Sequence, residues 1–203
     1  MREIVLDREV AKLLMERIWD YNGYIKKRLF IKMRNKITHE QMVSMQVCDF
    51  YATVCVELDG MGTAFVVQNS MLEKWGVGKD RLFADAIENM SEQYPMESFE
   101  VSELVGSECK SGYPLTCFTN IDGMNGAAVL LYPGFLPKAY EAAGGDFYII
   151  PSSVHEVLVI SREAVSADAL SKIVREVNMA IVSDDEKLSD NAFMVKQSYE
   201  IAK

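Results

Sequence analysis

Apolar and polar positions change period several times along the chain, and each change marks an element. Asp7 is an N-cap for a helix with Val10, Leu13, Leu14, Ile18 and Tyr21 at helical spacing, and Gly23 is its stop. Thr38 and Gln41, three apart, form the capping-box pattern of a second helix. Around Asp49 the period gives way to β-rich residues, Phe50 to Glu57. Asp59-Gly60 then signals a turn, and Thr63 to Gln68 read as the returning strand of a hairpin. Ser70 with Glu73 opens a short helix through Trp75 that Gly76 ends. Leu82, Phe83, Ala86, Ile87 and Met90 share one face of a helix from Lys79, which Pro95 closes.

The second half uses the same grammar. Leu115 to Asn120 is a strand, Asp122-Gly123 a turn and Ala127 to Tyr132 an apolar run. A helix over Pro133 to Ala143 stops at Gly144-Gly145. Phe147 to Ile150 and Val157 to Ile160 are short apolar strands. Ser166 caps a helix with Leu170, Ile173, Val174, Val177 and Ile181 on its apolar face, and Ala192 to Val195 form a last strand. Residues 58–74 and 121–138 also align with one inserted residue: Asp59/Asp122, Gly60/Gly123, Met61/Met124, Gly62/Gly126, Ala64/Ala128, Leu72/Leu136 and Lys74/Lys138 are identical. Two copies are too few for a solenoid. The expected fold is therefore α+β, a mostly antiparallel sheet with helices packed on it, containing a duplicated strand–turn–strand–helix unit. Residues 1–48 are expected to form an N-terminal helical segment, and 49–203 a single domain holding the repeat.

Composition narrows the class. The chain has 203 residues, 49% hydrophobic and 25% charged, which excludes a disordered or low-complexity protein. No run of 18 apolar residues is present, so no membrane partner is expected. The first residues, Met-Arg-Glu-Ile-Val-Leu-Asp, lack the apolar region of a secretory signal. Four cysteines at no framework spacing fit a reduced, cytoplasmic setting.

The formal charge of −9 is unevenly placed. Residues 1–37 hold ten basic and five acidic side chains; residues 38–203 hold eleven and twenty-five. The excess sits in Lys26, Lys27, Arg28, Lys32, Arg34 and Lys36, interleaved with Leu29, Phe30, Ile31 and Met33. A basic stretch with aromatics can contact nucleic acid. A sequence pI near 4.8 argues against that and favours a solvated face pairing with the acidic body.

Chemistry-bearing patterns are sparse. Asp59 and Asp122 stand at equivalent positions and invite paired-carboxylate catalysis, but Asp-Gly is favoured in tight turns for backbone reasons alone. The densest polar cluster is Ser152, Ser153, His155 and Glu156, in a loop between apolar strands, and it supplies the residue types of nucleophilic catalysis. No G-x-S-x-G elbow accompanies it, and the second histidine of a zincin would fall at Val159. No C-x-x-C or H-x-x-x-H spacing exists, so neither metal nor cofactor is expected. Trp75-Gly76-Val77-Gly78-Lys79 fails as a phosphate loop, with Glu73 and Asp80 where Gly and Ser or Thr are required. Asn69, Ser70 and Trp75 are candidate ligand-binding residues, provided they share a pocket with His155 and Glu156.

Three stretches carry a resemblance: Val66 to Gly76 with Leu82, Asp85, Ala86 and Asn89; Gly126 to Pro133; and Gly144 to Val157, which reads G-G-D-F-Y-I-I-P-S-S-V-H-E-V. Together with Ala167 to Asn178 and Leu188-Ser-Asp190, they resemble a domain-of-unknown-function family of gut Firmicutes, over roughly Asp49 to the C-terminus. The resemblance implies a bacterial cytoplasmic protein, is compatible with a mobile-element origin, and implies no reaction, cofactor or catalytic residue. The sequence thus favours a non-enzymatic binding or interaction protein whose partner is another protein. A special case is an acidic decoy that blocks a nucleic-acid-binding defence protein. The alternative is a hydrolase-like or ligand-converting enzyme built on Ser152, Ser153, His155 and Glu156.

Overall fold

A run of β-formers from Phe50 to Leu58, Phe-Tyr-Ala-Thr-Val-Cys-Val-Glu-Leu, makes the central strand β3 of a four-stranded antiparallel sheet. The computed structural model describes residues 16–58, 63–101, 115–151 and 153–196. On one edge of β3 lies β1 (Leu29–Arg34), paired from Leu29 opposite Val56 to Arg34 opposite Tyr51. The other edge is shared end to end by β2 (Ser44–Val47), opposite Phe50–Thr53, and β4 (Thr63–Val66), opposite Cys55–Leu58. The two meet at Val54. Its carbonyl accepts the Val67 N–H at 2.9 Å, its own N–H reaches the Val43 carbonyl at 3.4 Å, and Val43 N–H donates to Val67 at 2.9 Å. All three valines are buried, so the junction satisfies its backbone groups inside the core.

Helix α1 (Asn69–Trp75) comes directly after β4 and ends at Gly76, whose φ of 64° lets its N–H reach back to the last carbonyls. Helix α2 (Lys79–Gln93) packs Leu82, Phe83, Ala86 and Met90 into the core beside β1 and stops before Pro95. The second sheet is antiparallel throughout, in the order β5 (Met96–Glu100), β6 (Leu115–Asn120), β8 (Val157–Ser161), β7 (Phe147–Ile150), β9 (Phe193–Val195). One of its faces joins the first sheet's core through Phe118, Phe147, Val157 and Val159, where helix α3 (Phe135–Ala143) adds Phe135 edge-on to Phe118. The opposite face buries Tyr148 and Ile150 under Leu170 and Val174 of α4 (Ala167–Ile181), a helix that Ser166 caps through Ala169 N–H. Covered on both faces, β7 is apolar at every position.

Several expectations are corrected. Thr38 and Gln41 do not start a helix: Thr38 Oγ1 rests on Met42 Sδ, and residues 44–47 form β2, which turns through Cys48 and Asp49 into β3. Backbone pairing along β3 outweighs the local capping signal. The basic stretch holds a strand, β1, with Leu29, Ile31 and Met33 facing the core. Gly23 does not stop a helix; it lies within a π-helical turn, Tyr21–Ile25, with its N–H bonded to Asp20 Oδ1. The Ser70–Glu73 box is not formed, because α1 begins one residue earlier and Gln41 takes up the Asn69 N–H. On α4, Ile173 is exposed rather than part of the apolar face.

The duplicated unit is also not seen. Residues 63–66 are a strand, whereas the aligned run Gly126–Leu131 is a 3-10 helix. A strand there would have no edge to join, since β6 already pairs with β5 on one side and β8 on the other. The Asp7 cap, Val10 to Leu14, the Asp59–Gly62 turn, Cys109 and Ser152 lie outside the described residues.

One buried carboxylate joins the chain before β1 to α2. Asp85, 3% exposed, accepts from Tyr21 Oη at 2.8 Å, from Arg81 Nε at 2.9 Å to both oxygens, and faces Lys26 Nζ at 3.1 Å. Burial pushes its pKa up, but the donors from Arg81, Tyr21 and Lys26 more than offset this and hold it below the ordinary carboxylate value. Asp85→Ala is expected to cost about 2 kcal/mol in urea unfolding at pH 7, because it leaves the buried Tyr21 hydroxyl without its acceptor and takes away the carboxylate partner of Lys26 and Arg81. The folded pKa lies below the unfolded one, so the stabilisation is complete above about pH 5 and is lost as pH falls through about 4 toward the folded value. The gap between wild type and Asp85→Ala should therefore be constant at neutral pH and shrink below about pH 4.

Candidate functional site

The loop Pro151–Glu156 connects β7 to β8, and backbone bonds fix it from both sides. Val154 N–H donates to the Glu186 carbonyl at 2.8 Å, Ala127 N–H to the Val154 carbonyl at 3.2 Å, and Ser189 N–H to Pro151 at 3.1 Å. Ser153 is buried; its hydroxyl donates to Glu156 Oε1 at 2.8 Å and accepts the backbone N–H of His155 at 2.9 Å. Both bonds close the turn on itself. The His155 imidazole faces elsewhere: Nδ1 accepts Asn125 N–H at 3.4 Å and Nε2 stands 3.5 Å from Glu186 Oε1. A neutral ring with its proton on Nε2 fits both contacts. The structure therefore brings Ser153, His155 and Glu156 together but gives Ser153 no imidazole base.

The nearby thiol is no stronger a nucleophile. Burial pushes Cys117 up to about 11, with the Glu156 charge adding to the shift, so it stays protonated near neutrality. Among the described residues, no three His, Cys, Asp or Glu side chains are grouped to hold a metal ion.

Asn69, Ser70 and Trp75 lie on α1, away from this loop. Asn69 N–H is held by Gln41, and Trp75 is a core residue that donates Nε1–H to the Ile18 carbonyl at 2.8 Å and packs 5.7 Å from the Tyr21 ring. The hollow lies elsewhere. A cavity of about 540 Å³ opens where the turn before β1, strands β3 and β4, the last turn of α2 and the turn after β6 converge, and none of Ser153, His155, Glu156, Asn69, Ser70 and Trp75 lines it.

Its chemistry comes in three parts. Lys27 and Arg28 bring positive charge from the 3-10 turn that precedes β1; Arg28 also stacks on the Tyr24 ring at 3.9 Å and donates to the Tyr24 carbonyl. Glu57 and Asp122 bring negative charge, and neither carboxylate has a partner among the described residues. Asn89, Gln93, Asn120 and Asn125 supply amides beside an apolar lining that includes Leu29 and Met90. Asn89 is occupied, its Nδ2 bonding the carbonyls of Lys26 and Leu29. Asn120 is not. It is 2% exposed, its Nδ2 donates to Met124 at 2.9 Å, and its Oδ1, buried as well, accepts no hydrogen bond among the described residues.

The His155 loop supports this cavity from behind. The His155 carbonyl accepts Thr119 Oγ1 at 2.8 Å, and its ring holds Asn125, which adopts a left-handed φ of 51°. Gly126 fits in the angle between them, where a Cβ would collide with Thr119 Oγ1 and the His155 carbonyl.

A family model, described as a family of unknown function, DUF5688, matches residues 8–197. The chain belongs to DUF5688. The match reaches well before Asp49, where the sequence resemblance begins, so the DUF5688 region takes in the basic turn, β1 and β2. No curated protein and no solved structure matches the chain significantly. No helix among the described residues is long and apolar enough to cross a membrane.

Of the cavity residues, Asp122 stands out in the sequence through the repeat, and Lys27 and Arg28 through their charge. Asn120 has only a faint signal: an amide closing the apolar strand Leu-Thr-Cys-Phe-Thr-Asn is a weak sign of a buried polar contact. Gly126→Ala is expected to cost more than about 2 kcal/mol in thermal unfolding, through forced displacement of the His155 loop. Gly134→Ala, whose new methyl meets only Met96 Cε at 3.9 Å, should leave the melting temperature within a degree or two of wild type.

Proposed function

We propose that this DUF5688 member is a non-catalytic binding protein of a bacterial cytoplasm, and that its Ser-His-Glu loop is a structural support. The observation that carries the reading is the direction of the hydroxyl bonds. A nucleophilic serine needs its proton within reach of a base that can take it and return it. Ser153 gives its proton to a carboxylate in its own turn and receives the N–H of His155, while the imidazole bridges Asn125 and Glu186. The buried Ser153 hydroxyl is thereby satisfied within its own turn, and the imidazole holds the Asn125 N–H.

Cysteine chemistry adds to the reading. The described cysteines are free thiols, and burial holds two of them, Cys55 and Cys117, above the ordinary thiol value. Free thiols suit a reducing compartment. A binding role needs a preformed hollow with unsatisfied polar groups, and the cavity beside Asn120 has both.

A panel of ester, peptide, phosphate and glycoside substrates tests this. Wild type and His155→Ala are expected to give the same background turnover, while His155→Ala melts a few degrees lower because Asn125 and Glu186 lose their bridge. Turnover well above background in wild type that disappears in a folded His155→Ala protein would overturn the proposal.

A further inference from the structure

We draw no further inference here: the strongest candidate, the face of the first sheet turned away from its core, where Lys32 and Arg34 of β1 stand opposite Thr53 and Tyr51 of β3, carries nothing, because Thr53 and Cys55 are buried there and nothing among the described residues shows what covers it.

Discussion

The structure depends on keeping one carboxylate charged inside the protein. Moving Asp85 out of water is unfavourable, and a single partner rarely compensates for such a cost. Here the donors come from three sources: Arg81 one turn earlier on α2, Lys26 from the 3-10 turn and Tyr21 from the π-helical turn. Once that arrangement is fixed, Asn89 takes the carbonyls of Lys26 and Leu29, and Met90 Sδ accepts the Ile31 N–H, so β1 enters the sheet at one register beside α2. Lys27 and Arg28 reach the cavity because their neighbour Lys26 is held on Asp85.

A second constraint works from the other side of the cavity. With both edges of β6 occupied, the chain leaving Asn120 has to turn away from the sheet, and it does so through Gly123 and Asn125 in left-handed conformations. Gly126 then passes close under the His155 carbonyl before the 3-10 helix buries Ala127, Ala128 and Val129. This path leaves Asn120 buried with one end of its amide bonded and the other unmet. The support loop and the cavity are two sides of a single turn, which explains why the densest polar cluster in the sequence lies next to the hollow without lining it.

Legibility in the sequence depends on whether a signal is local. Helix α2, the stop at Gly76, the Ser166 cap and the short apolar strands β7 and β8 are legible because periodicity and caps act within a few residues. Strand β1 is hidden because Phe30 breaks the alternation and the lysines and arginines dominate the pattern; its partners lie 17 to 27 residues away in the chain, from Arg34 opposite Tyr51 to Leu29 opposite Val56. Thr38 and Gln41 signal a false helix, since a capping box is worth little against the ladder that β3 provides. The repeat misleads for a comparable reason: the identical residues Asp122, Gly123 and Gly126 spell a hairpin, although the element after a turn is decided by which sheet edges are free. The cavity leaves no trace in the sequence, because it forms where four elements distant along the chain converge.

The charge asymmetry takes on a different meaning in this light. Ten basic residues among the first thirty-seven suggest a face for an acidic partner. Yet Lys26 is bound to Asp85 and near Glu88, Arg34 donates to Thr53, and Arg17 and Arg28 both lie against the Tyr24 ring, at 5.6 and 3.9 Å. These contacts hold four of the described cations against the fold, and the ion pair to Asp85 neutralises Lys26. Lys27 differs from its neighbours: it is exposed, without a partner among the described residues, and placed at the rim of a cavity whose carboxylates are likewise unpartnered. A basic run that pairs Lys26 with Asp85 and buries one face as strand β1 is a weaker polyanion surface than its count of charges suggests.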